Sequence, residues 1–187
     1  VMLASIALVG CQKAPTTQTQ EATETQASEA MSQEFVKIQA NGPITTPAGA
    51  QFQVFKGWKM QTLSDGIKFK SPEGSVRVDY YELSANEFKS HKDALKETYR
   101  RYAPVSDMDE VLPEYWENAG EFSEVSQVQY INMESNQVAI NVARKHGDTW
   151  YCLIMGGRKD AFQNRAIQAQ TMFDTFKLPN HEAIKKA

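Results

Sequence analysis

Apolar and polar positions alternate in two separate stretches of this chain, and a helical repeat follows each. In the first stretch Phe52 and Val54 flank Gln53, a Gly57-Trp58 step leads into KMQTL, and Ile67 and Phe69 alternate with lysines. Asp65-Gly66 marks a tight hairpin, and Ser71, Pro72, Glu73 and Gly74 make a second turn. Beyond it Val76, Val78 and Tyr80 oppose Arg77, Asp79 and Tyr81. A period of two, broken by turn residues, predicts an antiparallel meander.

The second stretch repeats the pattern. Val128 and Tyr130 alternate with Gln127 and Gln129, a polar MESN turn follows, and Val138, Ile140 and Val142 alternate again. His146, Gly147 and Asp148 turn the chain into WYCLIM, which is apolar on both faces, as a strand covered on both sides should be.

Helical spacing appears after each stretch. Ser84 with Glu87 three residues on has the form of a capping box, and Leu83 with Phe88 has the form of a hydrophobic staple. Phe88, Leu95, Tyr99 and Tyr102 then share one face, and Pro104 closes the run, so a helix is predicted over 84–102. A second helix is predicted from Asp160, with Gln163 completing a capping pattern and Phe162, Ala166, Ala169 and Phe173 as its inner stripe, ending before Pro179. Residues 35–49 carry two prolines and two glycines and read as an irregular lead-in or an edge strand. Residues 107–124 read as an acidic connection, with Trp116 plugging a core edge. The expected fold class is therefore α+β, an antiparallel β-sheet with helices packed on it.

The amino terminus has a different character. Residues 1–10, VMLASIALVG, carry no charge and precede Cys11. Ten residues rise only about 15 Å as a helix, half of a bilayer core, so they read as the tail of a signal peptide with a truncated n-region rather than a membrane span. Leu8, Val9, Gly10 and Cys11 resemble a bacterial lipobox, which makes Cys11 the expected lipid attachment site. Residues 12–34 are mostly Gln, Thr, Ala, Ser and Glu and bury too little to offset their ordering entropy. The expected organisation is a signal peptide at 1–10, a lipidated Cys and tether at 11–49, one globular domain at 50–179 and a tail at 180–187. Gln12 rather than Asp follows the Cys, which in Gram-negative lipoproteins favours the outer membrane over the inner.

The Gly57-Trp58-Lys59 opening, Phe69 and Pro72 before a Ser75-Val76-Arg77-Val78 strand, the long helix, the late meander and the closing run into Phe176-Lys177-Leu178 resemble the PsbP-like sandwich. That group includes the DcrB lipoproteins. The resemblance spans roughly residues 50–179 and implies a PsbP-like α/β sandwich with an accessory or binding role. It carries no shared catalytic set.

Composition narrows the function classes further. With 41% hydrophobic and 23% charged residues among 187, the chain has an ordinary globular makeup, and a net charge of -3 argues against a general nucleic-acid binder. His91, His146 and His181 lie far apart with no Cys or carboxylate at metal-ligand spacing, and no cofactor motif is present, so no cofactor or metal is expected. Cys152 sits in the most apolar strand and reads as a buried, inert thiol. The Met155-Gly156-Gly157-Arg158-Lys159 run could cradle an anion ahead of the second helix, although a strand-to-helix turn explains the same glycines.

Charge is unevenly spread. From Tyr102 through Ala143 there are eight acidic residues and no Lys or Arg. Lys89, Lys92, Lys96 and Arg100 recur at helical spacing along the first predicted helix. They are either a solvated face or a contact for an anionic membrane or partner. The function expected from the sequence is a lipid-anchored, periplasm-facing, monomeric protein of the bacterial envelope with a non-enzymatic binding or assembly-support role. Its expected partners are the membrane, through Cys11, and another envelope protein; the alternative is a small envelope enzyme with a dispersed site.

Overall fold

The computed structural model describes residues 34–103 and 108–179. In chain order the described elements are β1 (Val36–Lys37), β2 (Gly42–Thr45), β3 (Gln51–Val54), β4 (Lys59–Leu63), β5 (Gly66–Lys70) and β6 (Val76–Ser84). Then come α1 (His91–Tyr102), β7 (Asp109–Ala119), β8 (Phe122–Asn132), β9 (Gln137–His146), β10 (Thr149–Arg158) and α2 (Lys159–Asp174). Eight strands form one sheet in the order β1-β4-β5-β6-β10-β9-β8-β7, and β2 and β3 form a separate hairpin. All these pairings are antiparallel.

The two meanders of the sequence thus become one sheet, joined where β10 lies against β6 with Leu153 opposite Tyr80. Strand alternation divides β10 between two cores. Tyr151, Leu153 and Met155 join Phe52, Phe69, Val78 and Tyr80 beneath Ala169 and Met172 of α2. Trp150, Cys152 and Ile154 join Tyr81, Val128 and Tyr130 beneath Ala94 and Leu95 of α1. The helices therefore cover opposite faces of the sheet, which is why β10 must be apolar on both. Fully buried side chains such as Phe69 and Ile154 each contribute about 1.5–3 kcal/mol.

Several boundaries differ from those the sequence suggests. Among the described residues secondary structure begins at Val36, within the stretch read as a lead-in or edge strand and ahead of residue 50, because Val36 pairs with Met60 and the Ile38 amide donates to the Trp58 carbonyl at 2.7 Å. The first helix starts at His91, not beyond a cap at Ser84. Ser84 is the last residue of β6, opposite Thr149, and its carbonyl accepts only a short turn from the amides of Glu87 and Phe88. Ala85 then donates to the Asp148 carbonyl at 2.8 Å, so sheet and loop contacts hold the segment out of helix. The true cap is Ser90, which forms a capping box with Asp93.

The second helix, in contrast, has no side-chain cap. Arg158 occupies the N-cap position because β10 runs directly into α2, and its guanidinium reaches back to the Asp160 carboxylate. Of its expected inner stripe Ala169 is buried and Phe162 and Phe173 are half-buried, while Met172 supplies the remaining buried contact. Within the acidic connection Asp109–Ala119 form the long strand β7 and Phe122 opens β8, and Trp116 is 45% exposed rather than plugging the core. An edge strand with no helix over it needs no apolar alternation, so its sequence carried no strand signal.

The C-terminal half of α1 is fixed by charge. Asp79 is fully buried, accepts from Arg77 Nε at 2.7 Å and from the Tyr81 hydroxyl at 3.0 Å, and Arg77 lies over the Tyr102 ring. Arg101 lies over Tyr81 in turn.

Candidate functional site

A helix over a sheet leaves uncovered any strand beyond its reach. The α1 backbone approaches β6, β10, β9 and β8 but not β7, so the sheet extends one strand past the helix. Between the helix flank and this overhang lies a cleft of about 640 Å³, within the range of ligand sites.

Each wall comes from a different element. Lys92 and Lys96, one turn apart on α1, form the first wall, and Glu110 of β7 with the backbone of Pro113 and Glu114 forms the second, while the Glu114 side chain, opposite Gln127 and next to Tyr115, belongs to the other face of the sheet. Leu95, Val128 and Tyr130 supply the floor. Among the described residues Lys92, Lys96 and Glu110 take part in no ion pair, although Glu110 is hydrogen-bonded to Tyr130.

The floor is rigid. Tyr99 stacks on Tyr130 with ring centroids 3.9 Å apart, and burial pushes the Tyr130 hydroxyl well above its ordinary pKa. Asn141, fully buried beneath, donates from Nδ2 to the Leu95 carbonyl at 2.8 Å and holds α1 to β9.

One end is closed by a side-chain bridge. The His91 ring stacks on Tyr115 at 4.3 Å, Tyr115 donates to Glu124 at 3.2 Å, and Lys145 Nζ reaches the same carboxylate at 3.0 Å. Desolvation and the Glu124 charge raise the Tyr115 pKa. Between Val111 and Glu114 the strand register shifts through a bulge, in which Leu112 has φ +48° and is 64% exposed. Such a bulge re-aims the side chains beyond it and interrupts the free edge.

The structure separates the four cations singled out in the sequence. Lys92 and Lys96 line the cleft, Lys89 lies exposed in the loop before α1, and Arg100 is tied to Glu97 at 2.8 Å, a carboxylate that also takes Arg101. Cys11 and His181 lie outside the described residues. Cys152 is fully buried, and burial pushes its thiol up to about 12. His146 Nδ1 is within 2.7 Å of the Glu121 carbonyl oxygen.

The glycines 156 and 157 do not form an anion cradle. Both are paired with β6 on one side and β9 on the other, so their backbone belongs to the ladder. A Cβ at Gly156 would stand 2.4 Å from the Val138 carbonyl oxygen, which explains a glycine there by close strand approach.

Pro113, Tyr115 and Ser126 are cleft residues the sequence did not single out. Tyr130 was visible as a core position, but nothing local tells that its strand ends beneath an overhang. Among the described residues no three His, Cys, Asp or Glu side chains are grouped to hold a metal ion, and no helix is long and apolar enough to cross a membrane.

No protein-family model matches the chain, and no curated protein matches it. Its fold is similar to the solution structure of the cyanobacterial PsbP protein (CyanoP) of Synechocystis sp. PCC 6803, with a TM-score of 0.55 and 11% identity over 76% of this chain and 95% of that one. At that identity the likeness is one of fold, and the chain has a PsbP-like fold: a large antiparallel sheet with two helices packed on it.

Proposed function

We propose that this protein is a lipid-anchored, non-enzymatic binding protein of the bacterial cell envelope whose recognition site is the cleft between α1 and the β7–β8 hairpin. The observation that carries the binding role is the cleft itself: an apolar floor between two walls whose opposite charges have no ion-pair partners within the described protein. An occupied cleft would supply them. The anchoring half of the reading rests on Leu8-Val9-Gly10-Cys11 and on the polar residues 12–34, which as a random coil would span about 25–30 Å and keep the cleft near the bilayer. Gln12 favours the outer membrane as the site of attachment.

Two measurements in cells test the two halves separately. Cys11→Ser should abolish lipid labelling and release the protein from membrane fractions, and unchanged fractionation of that variant overturns the anchor. A photo-crosslinking residue placed at Ser126 of β8, on the cleft floor, should give a discrete adduct that the same residue at exposed Gln163 of α2 does not give. Identical adduct patterns from both positions overturn the cleft as the recognition site.

A further inference from the structure

Resting on the cleft as the binding site, we propose that its occupant is an extended peptide segment whose side chains alternate in charge, acidic–basic–acidic. The argument starts from the walls. A simple anion would meet Lys92 and Lys96 but would also face Glu110, and a simple cation would face the converse. Only a guest carrying both signs, on opposite sides, complements the cleft.

The spacing suits an extended chain. Lys92 and Lys96 are four residues apart on a helix, a rise of about 6 Å. Alternate side chains of an extended peptide are about 6.6 Å apart and point the same way, while the one between them points to the opposite side. Two acidic residues at i and i+2 therefore reach the two lysines, and the basic residue at i+1 turns toward the β7 wall. Its aliphatic stem and those of its neighbours lie along Leu95 and Val128. The bulge at Val111–Glu114 supports the same arrangement, because it interrupts the free edge of β7 and directs a guest to the cleft rather than to the end of the sheet.

The test uses the full chain carrying Cys11→Ser, so that it is unlipidated, and two capped peptides of identical composition. Ac-Ala-Glu-Lys-Glu-Ala-NH2 should shift the amide resonances of Leu95, Ser126 and Val128 saturably, and Ac-Ala-Lys-Glu-Glu-Ala-NH2 should bind about fivefold more weakly, the worth of one misplaced ion pair. Lys92→Glu combined with Lys96→Glu should abolish the difference and weaken binding of the first peptide about tenfold or more, with an unchanged circular-dichroism spectrum, since both side chains are exposed and Glu forms helix about as well as Lys. Equal affinities for the two peptides, or shifts confined to residues outside the cleft, overturn the proposal. Absence of binding by either peptide while Ser126 still gives its specific adduct in cells also overturns the peptide class, and leaves the cleft as a site for a different guest.

Discussion

The indole nitrogen of Trp150 donates to the carbonyl oxygen of Phe88 at 2.8 Å, and this bond fastens the loop ahead of α1 to the central strand of the sheet. Trp150 is fully buried and Phe88 half-buried, so the bond is partly shielded from water. It explains why Phe88, which has the right spacing to belong to the first helix, is held outside it. Trp150→Phe should keep most of the packing but leave the Phe88 carbonyl unpaired, lowering stability by about 1–3 kcal/mol. Hydrogen exchange should show faster opening of residues 85–90 than of β10, and uniform loss of protection would show that the bond has no local role.

The helix cap gives a prediction in which two serines are compared. Ser90 Oγ accepts from the Asp93 amide at 3.2 Å, whereas Ser84 Oγ reaches only the Asn86 amide in an exposed turn. Ser90→Ala should lower stability by about 1 kcal/mol, and Ser84→Ala by a few tenths at most, in urea unfolding of the two variants.

Glu97 makes stability depend on acid. Hydrogen bonds from Arg100 and then Arg101 hold its carboxyl at about 2, against an ordinary value of 4.5. A depressed folded pKa contributes stability that is present above the unfolded value and is lost as pH falls through the folded one, here from about pH 5 down to about 2. Because Arg100 is exposed, the contribution after solvent screening is about 1 kcal/mol. Glu97→Gln should flatten this part of the stability profile and leave the slope above pH 6 unchanged.

Gly156→Ala tests the reason for the glycine pair. The added methyl would meet the Val138 carbonyl oxygen at 2.4 Å and the Ala139 Cα at 2.9 Å, and these are backbone atoms of a paired strand that cannot move aside cheaply. We expect a loss of about 3 kcal/mol or more, read as a fall in the thermal midpoint. Near-neutral behaviour would show that β9 and β10 can separate locally.

Cys152 should be silent toward thiol reagents. Its pKa of about 12 and complete burial keep it protonated and inaccessible at pH 8. In the Cys11→Ser protein, a chromogenic disulfide reagent should find no fast-reacting thiol in the native state and one after unfolding. Rapid native labelling would show that α1 lifts from the sheet.

Local chemistry was enough to determine the strands of the two meanders, their turns and the fold class. Asp65-Gly66, the 71–74 turn and the alternation at 76–81 and 138–142 act between neighbours in sequence, and so did the double-faced apolarity of Trp150, Cys152 and Ile154 against Tyr151, Leu153 and Met155. The start of α1 was misread because Ser84 has good capping chemistry that the β6–β10 ladder overrides. That override is a contact between residues 84 and 149, invisible to any local pattern. The cleft belongs wholly to the tertiary structure. Lys92, Glu110 and Tyr130 come from three elements, and their meeting depends on β10 pairing with β6, which sets β7 at the sheet's far edge, one strand beyond the helix. An edge strand wet on both faces leaves no period in its sequence, and the reach of a helix across a sheet is fixed by packing alone.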